Sequence, residues 1–519
     1  MDLHLLSSLP TYNSPAINEI SSQPNIVPRS ANYQPPIWHY DYIQSLRREY
    51  EGDTCTRQVH KMKGEVMRRM LLGLSYHFED EIEKILESIY SANHGGDHMC
   101  KNESLYAIAL RFRLLRTNGH NVSQDIFNTF KNEKGNFKTC LCDDTKGLLC
   151  LYEASFLLIE GETILEEARD KDEKLSAKVS HALELPLHWR MPRDKEGMNP
   201  LLLEFAELDF NMVQAAHQED LKQASRWWKS TGMGEKLTFA RDRLMENFLW
   251  TVGMAVIALM TTIDDVYDIY GSLDKLELFT NAVERWDTNA TDGLPYYMKI
   301  YFLVLHNSTN EMAFDALKEQ GLDIIGCLKK VLVDSCRSFL LEANLQEYLE
   351  NAWISIAAPV ALVHAYIFVT NPMTEEALDC LEEYPNIIRW SSMILRLADD
   401  LGTSKDELKR GDVSKSIQCY MKETGASEED AREYISPLIS ATWKKMNEER
   451  ISNSPFSKMY LEVVMNLARM AQCTYQHGDG HGVQDCDNKD HVLSLLIHPI
   501  PLNRDQIKNV TIFKETKYE

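Results

Sequence analysis

The chain has 519 residues and sets 55 Lys and Arg against 78 Asp and Glu, a formal charge of −23. That balance excludes a general nucleic-acid binder, whose footprint is basic, and electrostatic docking on anionic membranes. With 44% hydrophobic residues, a chain this long buries a core that needs no disulfide or structural metal, so its 11 cysteines, which lack CxxC spacing, read as small core residues of a reducing compartment.

Residues 1–28 contain Pro10, Pro15, Pro24 and Pro28 with Asp2 and Glu19 but no Lys or Arg. An extended or disordered arm is expected there. Its composition differs from an Arg-rich, acid-poor transit peptide and favours the cytoplasm. Further on, Leu105, Ile108, Ala109, Phe112 and Leu115 form one apolar stripe at helical spacing. Gly119 should stop that helix, and Ser123 should cap the next over Ile126–Phe130. Stripes and Gly/Asn/Pro stops alternate to about residue 495, and strand signals are scarce, so the fold class is all-α. A weak break at Met191–Pro200 divides the chain into helical domains over 29–196 and 197–519. The uncharged run Phe248–Ile263 is short of the ~20 residues that span a bilayer. Asn351–Thr374 is longer but carries Asn351, Ser355, Pro359, His364 and Asn371, which suits a kinked core helix. No membrane insertion is expected.

The chemistry-bearing residues lie in the second half. In Ile263-Asp264-Asp265-Val-Tyr-Asp268, Asp264 and Asp268 are i and i+4, stacked on one helix face at the end of the apolar run Met254–Met260. Acidic helix faces are commonly solvated, but carboxylates converging on a core helix need a cation. Oxygen-only donors suit Mg²⁺, and the alternating ligands and glycine of an EF-hand are absent. Asp399, Thr403 and Glu407 repeat the pattern at i, i+4 and i+8, a second oxygen-rich wall with Asp400 beside it. Arg241 and Arg243, with Arg396 and Lys415, could bind phosphate oxygens, although surface salt bridges explain the first pair equally well. Trp227, Trp228, Phe248, Trp250, Trp353, Tyr420 and Tyr475 could face a carbocation, since ring faces stabilise cations. Cys473, His477, His481 and Cys486 have zinc-like spacing, but the glycines of His477-Gly-Asp-Gly-His-Gly482 suit a mobile lid better than a rigid ligand frame.

Taken together these segments resemble the plant terpene synthase family, closest to the angiosperm monoterpene synthases. The resemblance runs from Arg29-Ser-Ala-Asn-Tyr-Gln-Pro-Pro-Ile-Trp38 through Arg226-Trp-Trp, Arg241-Asp-Arg243, Asp264-Asp265-Val-Tyr-Asp268 and Asp399 to Glu407. It continues through Lys409-Arg-Gly-Asp-Val-Ser-Lys-Ser-Ile417 to Tyr475-Gln-His-Gly-Asp-Gly-His. It implies an N-terminal helical domain without chemistry and a C-terminal class I α-bundle, acting as a monomer, in the plastid by family habit. Asp264 and Asp268 would hold two Mg²⁺ ions and Asp399, Thr403 and Glu407 the third, with Mn²⁺ as a substitute. Arg241, Arg243, Arg396 and Lys415 would face the diphosphate. Trp250, Trp353 and Tyr420 would shield the cation, and Tyr475 would stand at the site. The substrate implied is a prenyl diphosphate, geranyl favoured and farnesyl the alternative. The Asp-Thr-Glu wall distinguishes the chain from chain-elongating prenyltransferases, which carry two aspartate-rich motifs.

Four features depart from the family pattern. Pro28 stands where the first of two tandem arginines belongs, which favours acyclic products. Ala357 replaces a small hydroxyl residue at the kink in Trp353–Pro359. The Trp250–Thr261 connection is shorter by about four turns. Shorter blocks are missing near Met70, Asp170, Asp194 and Asn344. A catalytically silent relative that at most binds Mg²⁺-diphosphate is therefore the competing expectation.

Overall fold

The computed structural model describes residues 33, 35–47, 50, 79–94, 103–170, 186–189, 200–250, 254–340, 345–410, 414–476, 478–479, 489–490 and 492–502. The arm 1–28, the four shorter junctions, and His477, His481 and Cys486 of the zinc-like set lie wholly or largely outside these residues.

In the N-terminal half, α1 (Glu79–His94), α2 (Leu105–Thr117), α3 (Thr145–Ser155) and α4 (Thr163–Asp170) enclose a core of Leu105, Ile108, Phe112, Leu115, Phe127 and Leu165. The stripe expected at 105–115 is the buried face of α2. Asn118 caps that helix, and Gly119, at φ +85°, turns the chain away. Ser123 does cap the next element, accepting from Asp125 N at 3.1 Å, but Gln124–Phe130 winds as a tighter 3₁₀ helix rather than an α-helix. Arg116 is wholly buried and paired with Glu162, so this core carries its own charge compensation.

The C-terminal half begins with the long α5 (Pro200–Thr231), followed by α6 (Leu244–Trp250), α7 (Met254–Asp265), α8 (Leu273–Arg285), α9 (Tyr296–Gln320) and α10 (Ile325–Ser338). Next come α11 (Leu345–Ser355), α12 (Ala358–Val369), α13 (Asn386–Arg410), α14 (Ser416–Thr424), α15 (Glu428–Ile451) and α16 (Lys458–Tyr475). Helix α13 packs between α15 and α16 through the middle of the bundle. Its small residues allow close approach, as where Ser391 Oγ donates to Val464 O at 2.7 Å.

Residues 345–369 are long and apolar enough to cross a membrane. They are instead divided into α11 and α12 at Ala357, whose φ is +60°, and Pro359 occupies the first turn of α12. Pro359, Val360, Leu362 and Val363 are buried in the bundle core, as a kinked core helix requires.

The two halves meet through a buried polar seam. Asn447 on α15 donates to the carbonyls of Phe156 and Leu158, both at 3.0 Å, while its Oδ1 faces His188 Nε2 at 2.8 Å. Arg450 donates to Thr117 O at 2.8 Å and Arg469 to His188 O at 2.9 Å. Burial depresses His188 to about 3, so it enters this seam as a neutral ring.

Candidate active site

Helix α7 is apolar and buried along nearly its whole length, and its C-terminal end delivers the first acidic wall. The backbone then widens into a π turn over Val266–Tyr270, closed by Gly271 N to Val266 O at 2.7 Å. Asp268 lies inside that turn, where it and Asp264 still act on each other and on the same Lys415, and such π turns favour functional sites.

Arg241 grips the start of this wall. Its backbone N–H donates to Asp265 Oδ2 at 2.6 Å, its Nε lies 2.8 Å from Asp265 Oδ1, and its Nη2 pairs with Asp264. Burial alone would raise Asp264, but Arg241, Lys415 and Arg396 together hold it below the ordinary carboxylate value. Asp265 is 1% exposed, and burial pushes it up to about 6 despite Arg241. Sequence reasoning missed Tyr33. Its ring centre lies 5.3 Å from the Arg241 guanidinium carbon, and its side chain hydrogen-bonds to Asp265. The signal was present, since Tyr33 lies inside the Arg29–Trp38 segment that carries the resemblance.

The second wall rises along α13, where Arg396, Asp399, Asp400, Thr403 and Glu407 are all buried. Arg396 pairs with Asp399 and donates from Nε to Asp400 Oδ1 at 2.7 Å. Thr403 Oγ1 donates to the Asp399 carbonyl at 2.8 Å. Burial raises Asp399 to about 6 against the pull of Arg396 and of the hydrogen bond from Tyr475. Glu407 is raised to about 8 by burial against the pull of Lys415, and its Oε2 has no hydrogen-bond partner among the described residues. Asp400 is fully buried and accepts from Arg396, Tyr348 and Ser416 N. Its oxygens are thus engaged inside the protein.

Lys415 closes the space between the walls. It is the N-cap residue of α14, and its Nζ donates to Asp268 Oδ2 at 2.8 Å. Burial lowers the Asp268 acidity although Lys415 opposes the effect. The segment after α16 closes another side. A Cβ on Gly402 would stand 2.9 Å from both Gly478 O and Tyr475 Cβ, so only glycine lets this backbone approach. Asp479, buried there, adds negative potential at Asp399 and Arg241.

The structure thus gathers Arg241, Asp264, Asp265, Asp268, Arg396, Asp399, Lys415 and Tyr475, with Thr403 and Glu407 on the same buried helix. For the other expected residues it gives these surroundings. Arg243 is buried with Nη1 donating to Asp242 O at 3.3 Å, and Glu246 is its principal acidic influence. Trp353 packs edge-on against Tyr384 at 5.7 Å and lies under Arg389. Tyr420 stacks on Tyr434 at 4.5 Å. Trp250 ends α6, and its side chain is outside the described residues.

An all-α bundle with two facing acidic walls and basic residues between them defines a cleft for a metal-bound polyanion. The family comparisons agree. The terpene synthase metal-binding domain matches residues 229–445 and the terpene synthase N-terminal domain residues 70–182. The chain is 61% identical to a Quercus ilex chloroplastic myrcene synthase over 94% of this chain and 92% of that one. It is 56% identical to a Vitis vinifera (−)-α-terpineol synthase over 92% and 91%. A limonene synthase solved with 2-fluorolinalyl diphosphate matches with TM-score 0.85 and 41% identity, over 92% of this chain and all of that one. A Populus × canescens isoprene synthase solved with three Mg²⁺ ions and dimethylallyl-S-thiolodiphosphate matches at TM-score 0.76 and 40% identity, over 89% and 99%. The chain belongs to the terpene synthase family; it is an enzyme of the lyase type that acts on prenyl diphosphates. The missing blocks also register: 94% of 519 residues is about 488, against 553 aligned positions, so about 65 positions are gaps on this side.

Among the described residues no three His, Cys, Asp or Glu side chains form a ready metal cage, because Arg241, Arg396 and Lys415 engage the carboxylates. The donor set still fits a hard divalent ion. It is all oxygen, and the buried Glu407 Oε2 is an acceptor awaiting a cation.

Proposed function

We propose that the chain ionises geranyl diphosphate, with Mg²⁺, to an acyclic monoterpene and diphosphate, farnesyl diphosphate being the poorer substrate. The observation that carries this is the Lys415–Asp268 contact at 2.8 Å, which brings a phosphate-binding cation of one acidic wall onto the other. In this reading Asp264 and Asp268 hold two ions, and Asp399, Thr403 and Glu407 a third, with Mn²⁺ able to replace Mg²⁺. The ions would neutralise charge developing on the leaving diphosphate. Lys415, Arg396 and Arg241 give up their carboxylate partners to the ions and turn to phosphate oxygens, so the same cations serve the metal-free and the loaded states. Tyr475, bonded to Asp399, steadies that carboxylate. Arg243, within electrostatic reach of Arg241 and Asp265, belongs to the diphosphate set in this reading, and Trp353 and Tyr420 to the cation shield. Buried apolar side chains of the bundle keep water from the cation.

The acyclic assignment rests on Pro28 in place of an arginine and on the similarity to a myrcene synthase. The domain division at 196/197, a monomeric state without membrane insertion, and plastid residence, which the chloroplastic relatives favour, belong to the same proposal. The test is turnover of geranyl and farnesyl diphosphate by the purified chain with Mg²⁺, read by gas chromatography–mass spectrometry beside Asp264→Ala. Acyclic monoterpene that vanishes in the variant supports the reading. A mainly bicyclic profile would sink the acyclic assignment, and silence from folded protein would favour the inactive relative.

A further inference from the structure

Asp400 and Tyr348 take no part in the scheme above, yet they lie at its centre. Asp400 is 0% exposed, and a bare carboxylate at that depth is untenable without donors. Three elements supply them. From α13 itself, Arg396 Nε reaches Oδ1 at 2.7 Å. From α14, the backbone N–H of Ser416 donates to Oδ2 at 3.1 Å. From α11, the Tyr348 hydroxyl donates to Oδ1 at 3.0 Å and Oδ2 at 2.9 Å. No other group in the bundle joins these three helices at one point by hydrogen bonds among the contacts described.

The residues so joined are significant. Arg396 is held by Nε, which fixes the plane of its guanidinium and aims Nη2 at Asp399. Ser416 is the first helical residue of α14 and follows Lys415, whose Nζ crosses to Asp268. Fixing the first N–H of α14 therefore fixes the point from which Lys415 reaches across the cleft. We propose that Tyr348 and Asp400 form a buried positioning hub that holds Arg396 and Lys415, the two cations of the second wall, in register for a diphosphate. Both are positioning residues, since they act on the diphosphate through Arg396 and Lys415. The hub rests on the diphosphate reading of Arg396 and Lys415.

It also explains why α11 matters to the reaction beyond its aromatic residue. The hydroxyl of Tyr348 transmits the placement of that helix to the cations. A displacement near 1 Å at such a site costs ~10²-fold in rate.

Two variants cut separate arms of the hub. Tyr348→Phe removes one donor and leaves the ring. Ser416→Pro removes another at a first-turn position where proline is tolerated, after Lys415, whose ψ of −172° is extended as a pre-proline residue must be. Each full-length variant is titrated calorimetrically with inorganic pyrophosphate in saturating Mg²⁺ and assayed for turnover of geranyl diphosphate, well below its melting temperature. The expected result is pyrophosphate affinity lowered about tenfold with a parallel fall in kcat, in either variant. On an Arg396→Ala background, Tyr348→Phe should lose most of its effect. A merely structural role would lower the melting temperature and leave pyrophosphate affinity intact. Wild-type affinity and kcat in whichever of the two variants folds would overturn the hub. A parent chain that binds pyrophosphate but turns nothing over would refute the proposed function alone, and the hub would still be judged on binding.

Discussion

Glu407 makes the sharpest test of the metal reading, because its raised pKa must appear in the metal affinity. In the metal-free protein its carboxyl is held at about 8 by burial, with Lys415 too weak to reverse the shift. A cation that takes Glu407 as a ligand must expel that proton first. At pH 6.5, about 1.5 units below the pKa, the expulsion costs about 2 kcal/mol at 1.36 kcal/mol per unit, or about thirtyfold in affinity. Mg²⁺ affinity should therefore rise about tenfold per pH unit between 6 and 8 and level off above. Asp399, at about 6, adds a second proton only toward the acid end. Isothermal titration with Mg²⁺ alone, in two buffers of different ionisation enthalpy, counts the protons released from the protein. About one should leave at pH 7, and Glu407→Gln should abolish the release. The same shift fixes a stability trend. The folded pKa exceeds the unfolded value of 4.5, so the native state binds more protons between those values, and the metal-free fold weakens as pH rises from about 4.5 to about 8. Affinity flat across pH 6–8, with no proton release, would refute the placement of Glu407 at the metal.

Arg241→Ala should destabilise the chain by about 3–5 kcal/mol in chemical denaturation, since it leaves Asp265 buried without its counter-charge, and a loss under 1 kcal/mol would contradict that pairing. Gly402→Ala drives a Cβ to 2.9 Å from the Gly478 carbonyl, so turnover should fall about a hundredfold through displacement of Tyr475 from Asp399, with retained helical circular dichroism. Tyr33→Phe deletes a hydrogen bond to a buried carboxylate and should cost about 1.5–3 kcal/mol of stability, whereas an unchanged melting transition would show that Tyr33 contributes by its ring alone.

The parts of the site written in local spacing were legible from the sequence. Asp399, Thr403 and Glu407 share one unbroken helix, and their common burial follows from a period of 3.6. Asp264 and Asp268 likewise meet the same Lys415, although nothing in Val266–Tyr270 announces that the helix will widen there. Residues that meet across the fold were not legible by spacing at all. Lys415 and Asp268 are 147 positions apart, and Tyr348 and Asp400 52. The aromatic residues are a different case: Trp353 and Tyr420 have the chemistry to shield a cation, but chemistry does not say which way a ring faces, and their ring partners here are Tyr384 and Tyr434.

The same distinction decides what the lost segments do to this enzyme. The Asp399–Glu407 wall lies on a helix whose own sequence is intact, whereas the shortened Trp250–Thr261 stretch runs into α7 and can shift the Asp264–Asp268 wall without removing a ligand. The Arg241–Asp265 contact spans that stretch and Lys415–Asp268 ties the same wall to α14, and both are formed with the connection as short as it is. A shift near 1 Å, too small to break such pairs, still costs ~10²-fold in rate. The charge pairs that close the metal-free cleft thus report that the two walls still face one another, and turnover of geranyl diphosphate reports whether one diphosphate can join them.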